Sequence, residues 1–345
     1  SDSAAGNFVF ANGASVSGML TAGSAGTLDY SAYTTAVNVG LGGTATGTGG
    51  WSGITTAKGG SASDTISGSN QTYTLTGANA GNGGTLTWTS FENIADAGIG
   101  TITTTGAQVY NLSGSNAGTI TTLLPGGFSG IGNLNAATGT VNFGTGGSVT
   151  GNITAKTLNY ASYATPVTFD LSNGAGATTG MGGTWTGVTT VTGSGNSDTI
   201  TGSGQTYQLD NAVANKGSSG AVGWSSFENI SDGTGTVNFG SNGGVTGNIA
   251  VQTLDFGSYL QGLTLNVDTG AISGVSGSFS GYTTVNANAA QSNTVTGTGQ
   301  SYVLDNAVAN QGSSNGYNWS GFQNITDATG TVNFGTAGSL AGNVT

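Results

Sequence analysis

The chain reads as an all-β repeat protein, a β-helix (β-solenoid), on three observations. A block returns at fixed spacing, short β-prone runs alternate with turn residues, and no helical apolar stripe is present. The block is Thr140–Ile153, returning as Thr236–Ile249 and Thr331–Val344, with a worn copy at Asn7–Leu20. Val141, Val237 and Val332 stand 96 and then 95 residues apart. Self-similarity at a fixed period is the mark of stacked-repeat architectures. Gly supplies 67 of 345 residues, far above the roughly 7% of an ordinary chain. With two Pro, Pro125 and Pro166, collagen and Pro-rich linkers are excluded. Disorder is excluded by the abundance of Val, Ile, Thr and aromatics and by a charged fraction of only 5%, the reverse of a disordered composition.

The landmarks within a period follow a constant order. A Leu-Asn/Asp-aromatic step (Leu28–Tyr30, Leu158–Tyr160, Leu254–Phe256) precedes an aromatic with Gly two residues on (Trp51, Trp185, Phe279) and then a Thr pair. Next come Ser63–Ile66, Ser197–Ile200 and Ser292–Val295, then Gln71–Tyr73, Gln205–Tyr207 and Gln300–Tyr302. Each period closes on Trp88–Ile94, Trp224–Ile230 or Trp319–Ile325. The first period contains an internal duplication, Gln71–Gly81 recurring as Gln108–Gly118. A globular core tolerates such an insertion poorly. A stack accepts it as extra rungs, because each repeat touches only its neighbours.

The parse is one continuous solenoid over 1–345, with large repeats at 7–139, 140–235 and 236–330 and the start of a fourth at 331–345. Coils of about 20–25 residues would put four or five in each period and about fifteen in the chain. Asn152, Asn248 and Asn343 are expected at corners, where Asn tolerates left-handed backbone and can stack in a ladder. The competing architecture is a tandem array of β-sandwiches, for which about 95 residues also suits one domain. The start lacks a basic and apolar leader and the end falls inside a repeat. We therefore expect a segment of a longer exported protein.

Three missing residue types narrow the function. Without His the commonest general base and metal ligand is absent. Without Cys there is no thiolate or disulfide, and without Arg no bidentate anion clamp. The only cations are Lys58, Lys156 and Lys216, and the net charge is −11, which disfavours nucleic acid and anionic membranes. No run of about 20 apolar residues offers a spanning helix.

Acidic residues recur in register: Asp64 and Asp198; Asp96, Asp232 and Asp327; Asp210 and Asp305; Glu92 and Glu228. A catalytic carboxylate pair is one reading; solvated turn residues are the other. Repetition favours turns, as does the replacement of Asp by Asn293 and of Glu by Gln323, so no catalytic residue is assigned and no cofactor is expected. The glycine-aspartate nonapeptide of calcium-binding rolls is missing, which leaves structural calcium a minor option. Phe143, Phe239, Phe334, Phe91, Phe227 and Phe322 are assigned to the core, with a Phe-in, Glu-out, Asn-at-turn pattern for the last three. Trp88, Trp224 and Trp319 stand open between core and an exposed carbohydrate platform. Asn-x-Ser/Thr sequons occur at Asn70, Asn111, Asn152, Asn229, Asn318, Asn324 and Asn343, and any that is glycosylated must lie at the surface.

The repeated Thr-Val-Asn-Phe-Gly and Phe-Glu-Asn-Ile blocks, in a Cys-free chain rich in Gly, Asn and Thr, resemble the fibre-forming passengers of large Gram-negative surface adhesins. The nearest group is the filamentous-haemagglutinin-type exoproteins of two-partner secretion. The resemblance implies a right-handed parallel β-helix, the hand that parallel connections generally take. It also implies an extracellular location at the bacterial surface after passage through an outer-membrane export pore. Roles in attachment, cell-cell aggregation and biofilm follow, through host or neighbouring-cell glycans or proteins, or through other copies of the chain. Some members carry glycans on such sequons. Nothing matches that group's secretion domain, so the expected part is shaft. The alternatives are a self-assembling surface-layer or filament subunit, and a polysaccharide-binding or polysaccharide-cleaving β-helix.

Overall fold

The computed structural model describes residues 2–345 as β-strands and turns, with no helix. The chain is a parallel β-solenoid of about 10 turns. It divides into two compact units, 1–165 with 173–190, and 166–172 with 191–345.

The second unit displays the construction most plainly. The strand Asn229–Asn238 places Ile230 beside Ile249 and Val237 beside Leu254, and Asn248–Phe256 then places Leu254 beside Val285. Alternate residues point inward, so Ile230, Val237, Ile249 and Leu254 are fully buried while their neighbours face out. A period-2 pattern of this kind is what buries one face of a strand.

The coils are fewer and longer than the expected 20–25 residues. Short steps of 17 and 19 residues, as from Asn238 to Asp255 and from Asn229 to Asn248, alternate with steps of about 30, as from Asn293 to Gln323. The cause is a feature that turn residues alone do not reveal. Several Gly- and Asn-rich turns reverse the strand within a coil instead of marking a coil's corner. Thr206–Leu209, Lys216–Ser219 and Val222–Ser225 form an antiparallel meander, and Ser301–Leu304, Gln311–Ser314 and Tyr317–Ser320 repeat it. The internal duplication of the first unit builds the same device twice, at Thr72–Thr89 and at Val109 onward.

Aromatic pairs lie where the short steps occur. Phe10 stacks on Tyr30, Phe143 on Tyr160 and Phe239 on Phe256, with ring centroids 4.5, 4.2 and 4.0 Å apart. Tyr33, Tyr163 and Tyr259 meet these stacks edge-on. Phe143, Phe239, Phe91, Phe227 and Phe322 are buried. Phe334 departs from its core assignment: it is 46% exposed. Phe143 is covered by the ring of Tyr160, whereas among the described residues no ring stacks on Phe334.

Trp88, Trp224 and Trp319 are buried, which removes them as an exposed platform. Each lies under a Gly of the adjacent reversed strand. A Cβ at Gly217 would come within 2.5 Å of the Trp224 ring, and one at Gly312 within 2.6 Å of Trp319. The three indole N–H groups have no hydrogen-bond partner, a cost of about 1–3 kcal/mol each set against a large apolar burial.

Candidate functional site

Of the in-register acids, Asp64, Asp198, Asp96 and Asp232 are buried and not solvated turn residues, while Asp210 and Asp305 keep the expected turn role, and the correction for the buried ones follows from their surroundings. Asp64 and Asp198 are fully buried. Asp64 accepts hydrogen bonds from the backbone N–H of Val37, at 2.8 Å, and of Gly60. Asp198 accepts from Val167 N–H at 2.7 Å, from Ser194 N–H, and from Ser194 Oγ at 2.8 Å. Glu92 and Glu228 accept the backbone N–H of Asp64 and Asp198 at 2.9 and 2.8 Å. These glutamates therefore join coils instead of pointing to solvent. Burial pushes the Asp64 carboxyl up; the Val37 and Gly60 bonds offset this in part, and the charge of Glu92 adds to it.

The third copy performs the same joining without charge. Asn293 accepts Leu263 N–H at 2.9 Å through Oδ1, and Gln323 accepts Asn293 N–H at 2.9 Å. The Asn293 amide nitrogen donates to the carbonyls of Asn288 and Gly321 at 2.7 and 2.8 Å. Where a carboxylate meets donors, the amide meets acceptors.

A second set of acids anchors the Gln-x-Tyr motif. Asp96 accepts backbone N–H bonds from Asn70, Gln71 and Gly98 and the hydroxyl of Tyr73. Asp232 accepts from Gly204, Gln205 and Tyr207, and Asp327 from Gly299, Gln300 and Tyr302. Burial alone would raise these carboxyls, but the convergent N–H donors and the tyrosine hydroxyl hold all three below the ordinary value, Asp327 at about 2. The same burial, with the neighbouring carboxylate, raises Tyr73, Tyr207 and Tyr302.

The Asn of the closing motif links coils in both directions. Asn229 Nδ2 donates to Ser197 Oγ and Asp198 O, both at 2.9 Å, while its Oδ1 accepts Asn248 N–H at 2.9 Å. Asn324 does the same between Asn293 and Asn343. Asn152, Asn248 and Asn343 stack in these ladders, but left-handed backbone falls instead on Asn70, Asn79, Asn116, Asn173, Asn215, Asn310 and Asn315. Of the sequons, Asn70, Asn152, Asn318 and Asn343 are exposed. Asn111 is half-buried, with its amide donating to Thr121 and accepting from Asn142. Among the described residues no group of three or more acids is placed to hold a metal ion.

One feature escaped the sequence reading although its signal was present. The hexapeptide Asp-Asn-Ala-Val-Ala-Asn stands at 210–215 and again at 305–310. Asp210 accepts the N–H of Ala212 and Val213, and Asp305 those of Ala307 and Val308. Asn211 and Asn306 accept backbone N–H groups from the following coil. These bonds fix each loop, with Val213 and Val308 half-exposed. Beside the first two residues of each loop, between the adjoining strands, lie open recesses of about 370 and 360 Å³, lined by equivalent residues. Comparison of the chain with models of known protein families, with curated proteins and with solved structures finds no match.

Proposed function

We propose that this chain is the structural shaft of a secreted bacterial surface fibre that serves attachment, cell-cell aggregation or biofilm formation, with no catalysis of its own. The observation that supports this is where the repeated polar residues go. Asp64, Asp198 and Asn293, Glu92, Glu228 and Gln323, and Asn229 and Asn324 all bond one coil to the next. The repeat thus encodes cohesion along a stack, the requirement of a spacer. In this reading the chain is extracellular, having passed an outer-membrane pore, and it presents an adhesive region to glycans, proteins or other copies of itself.

The test is electron microscopy of cells with and without the gene, together with their settling. Loss of surface fibres along with clumping is the expected result. Loss of a coat or filament while clumping persists would favour an assembling surface-layer subunit, and an unchanged surface would overturn both. Release of reducing ends from polysaccharide by the purified chain would replace the shaft with an enzyme.

A further inference from the structure

We propose that the two recesses at the start of the Asp-Asn-Ala-Val-Ala-Asn loops are equivalent binding sites for neutral saccharides, which makes this part of the chain bivalent in its own right. The recesses recur one period apart in the same compact unit. Leu209, Asp210 and Asn211 line one, and Leu304, Asp305 and Asn306 the other. The opposite walls are Lys216 and Ser218 in the first and Gln311 and Ser313 in the second. Each volume falls within the lower part of the range that holds small ligands.

The loop that supplies the Asp and Asn of each wall is an addition to the fold, since the coil does not require it. The corresponding turn of the first period, Thr76–Asn79, is two residues shorter, and it reaches the same left-handed Asn: Asn79 there, Asn215 and Asn310 in the later copies. The backbone N–H groups of Phe91, Phe227 and Phe322 bond to the carbonyls of those three residues in turn. The longer loops are nevertheless fixed, by Asx bonds at Asp210 and Asp305 and by Asn211 and Asn306 clasping the next coil. Preorganised walls lower the ordering cost of binding.

The chemistry of the walls selects the ligand class. Each recess presents one carboxylate, side-chain amides, a serine hydroxyl and backbone groups, and it lacks Arg, His and aromatic rings. Carboxylate and amide together accept from and donate to adjacent hydroxyls. Lys216 lies 3.2 Å from Asp210, whereas Gln311 takes its place beside Asp305. The feature common to both sites is therefore the carboxylate and not the cation. With a net charge of −11, an anionic saccharide is repelled from both.

The experiment is saturation-transfer NMR and titration of the 345-residue chain with cellobiose, chitobiose and mannobiose, with digalacturonate as the anionic probe. At least one neutral disaccharide is expected to bind at two sites per chain. Ser218→Trp and Ser313→Trp fill one recess each, and Trp suits a half-buried strand position. Replacing 210–215 or 305–310 with the Thr-Gly-Ala-Asn turn of residues 76–79 removes the Asp and Asn of each wall by a second route. Either change is expected to halve the stoichiometry and to weaken retention on an immobilised saccharide surface on the order of 10²-fold, through loss of avidity. The double variants should not bind. Absence of binding by all three neutral probes, binding of digalacturonate alone, or binding that survives both double variants would overturn the proposal. None of these results touches the fibre reading, because fibres seen on cells that carry the short turns would leave the shaft intact.

Discussion

Asn293 does with an amide what Asp64 and Asp198 do with carboxylates, and the surrounding backbone has changed to suit. Its nitrogen meets two carbonyls, while the second carboxylate oxygen of Asp198 meets Ser194 N–H. Neither residue is therefore interchangeable in its own place. Asp198→Asn would turn an NH₂ toward a donor, and Asn293→Asp would turn an oxygen toward carbonyls. Each is expected to lower stability by about 1–3 kcal/mol, the cost of a buried polar group left unmatched. Urea unfolding with an unchanged slope would measure it, and a midpoint equal to the parent's would refute the assignment. The sequons separate on the same grounds. Asn229 and Asn324 hold their amide nitrogens between coils, so a glycan there would break the ladder. When the chain is exported from a glycosylating host, mass mapping should find sugar only among the exposed Asn70, Asn152, Asn318 and Asn343. Modified Asn229 or Asn324 on folded protein would contradict the coil ladder.

At the scale of the element, the short step between stacked aromatics is the unit of cohesion. Phe143→Ala or Phe239→Ala removes a buried ring from a stack and should cost about 3–5 kcal/mol. Phe334→Ala, at a half-exposed ring, should cost well under half as much in the same thermal melt. Equal losses at all three would mean that the stacks do not carry the core. Strand positions and inward residues were legible because period-2 alternation and the Phe and Ile of each motif mark them directly. Coil length was not. Gly and Asn mark a corner and a strand reversal equally well, and only the pairing of Thr206–Leu209 with Lys216–Ser219 tells them apart. The buried acids were misjudged for a related reason. Their spacing shows recurrence, but two of the backbone N–H groups that meet Asp96 and two of those that meet Asp232 belong to residues more than twenty positions away.

Over the whole molecule, 14 acidic residues face only 3 cations, so backbone N–H groups, more than ion pairs, stabilise the carboxylates. This sets the pH dependence. Asp96, Asp232 and Asp327 titrate below the ordinary 3.8 in the folded state. The unfolded chain thus takes up protons first, and the stability these groups contribute, present above 3.8, is lost as pH falls through their folded values. Asp64, which is raised, acts in the opposite sense: its contribution is fully present below 3.8 and is lost as pH rises through its folded value. Three clasps against one predict a Tm that holds near neutrality and then declines from about pH 3.8 toward about 2, where Asp327 titrates. Asp327→Asn should make that acid decline shallower, because Asn does not titrate there, while also lowering Tm at pH 7. A Tm that climbs steadily down to pH 2 would mean that burial of the Asp64 type governs the acids and that the N–H clasps contribute little.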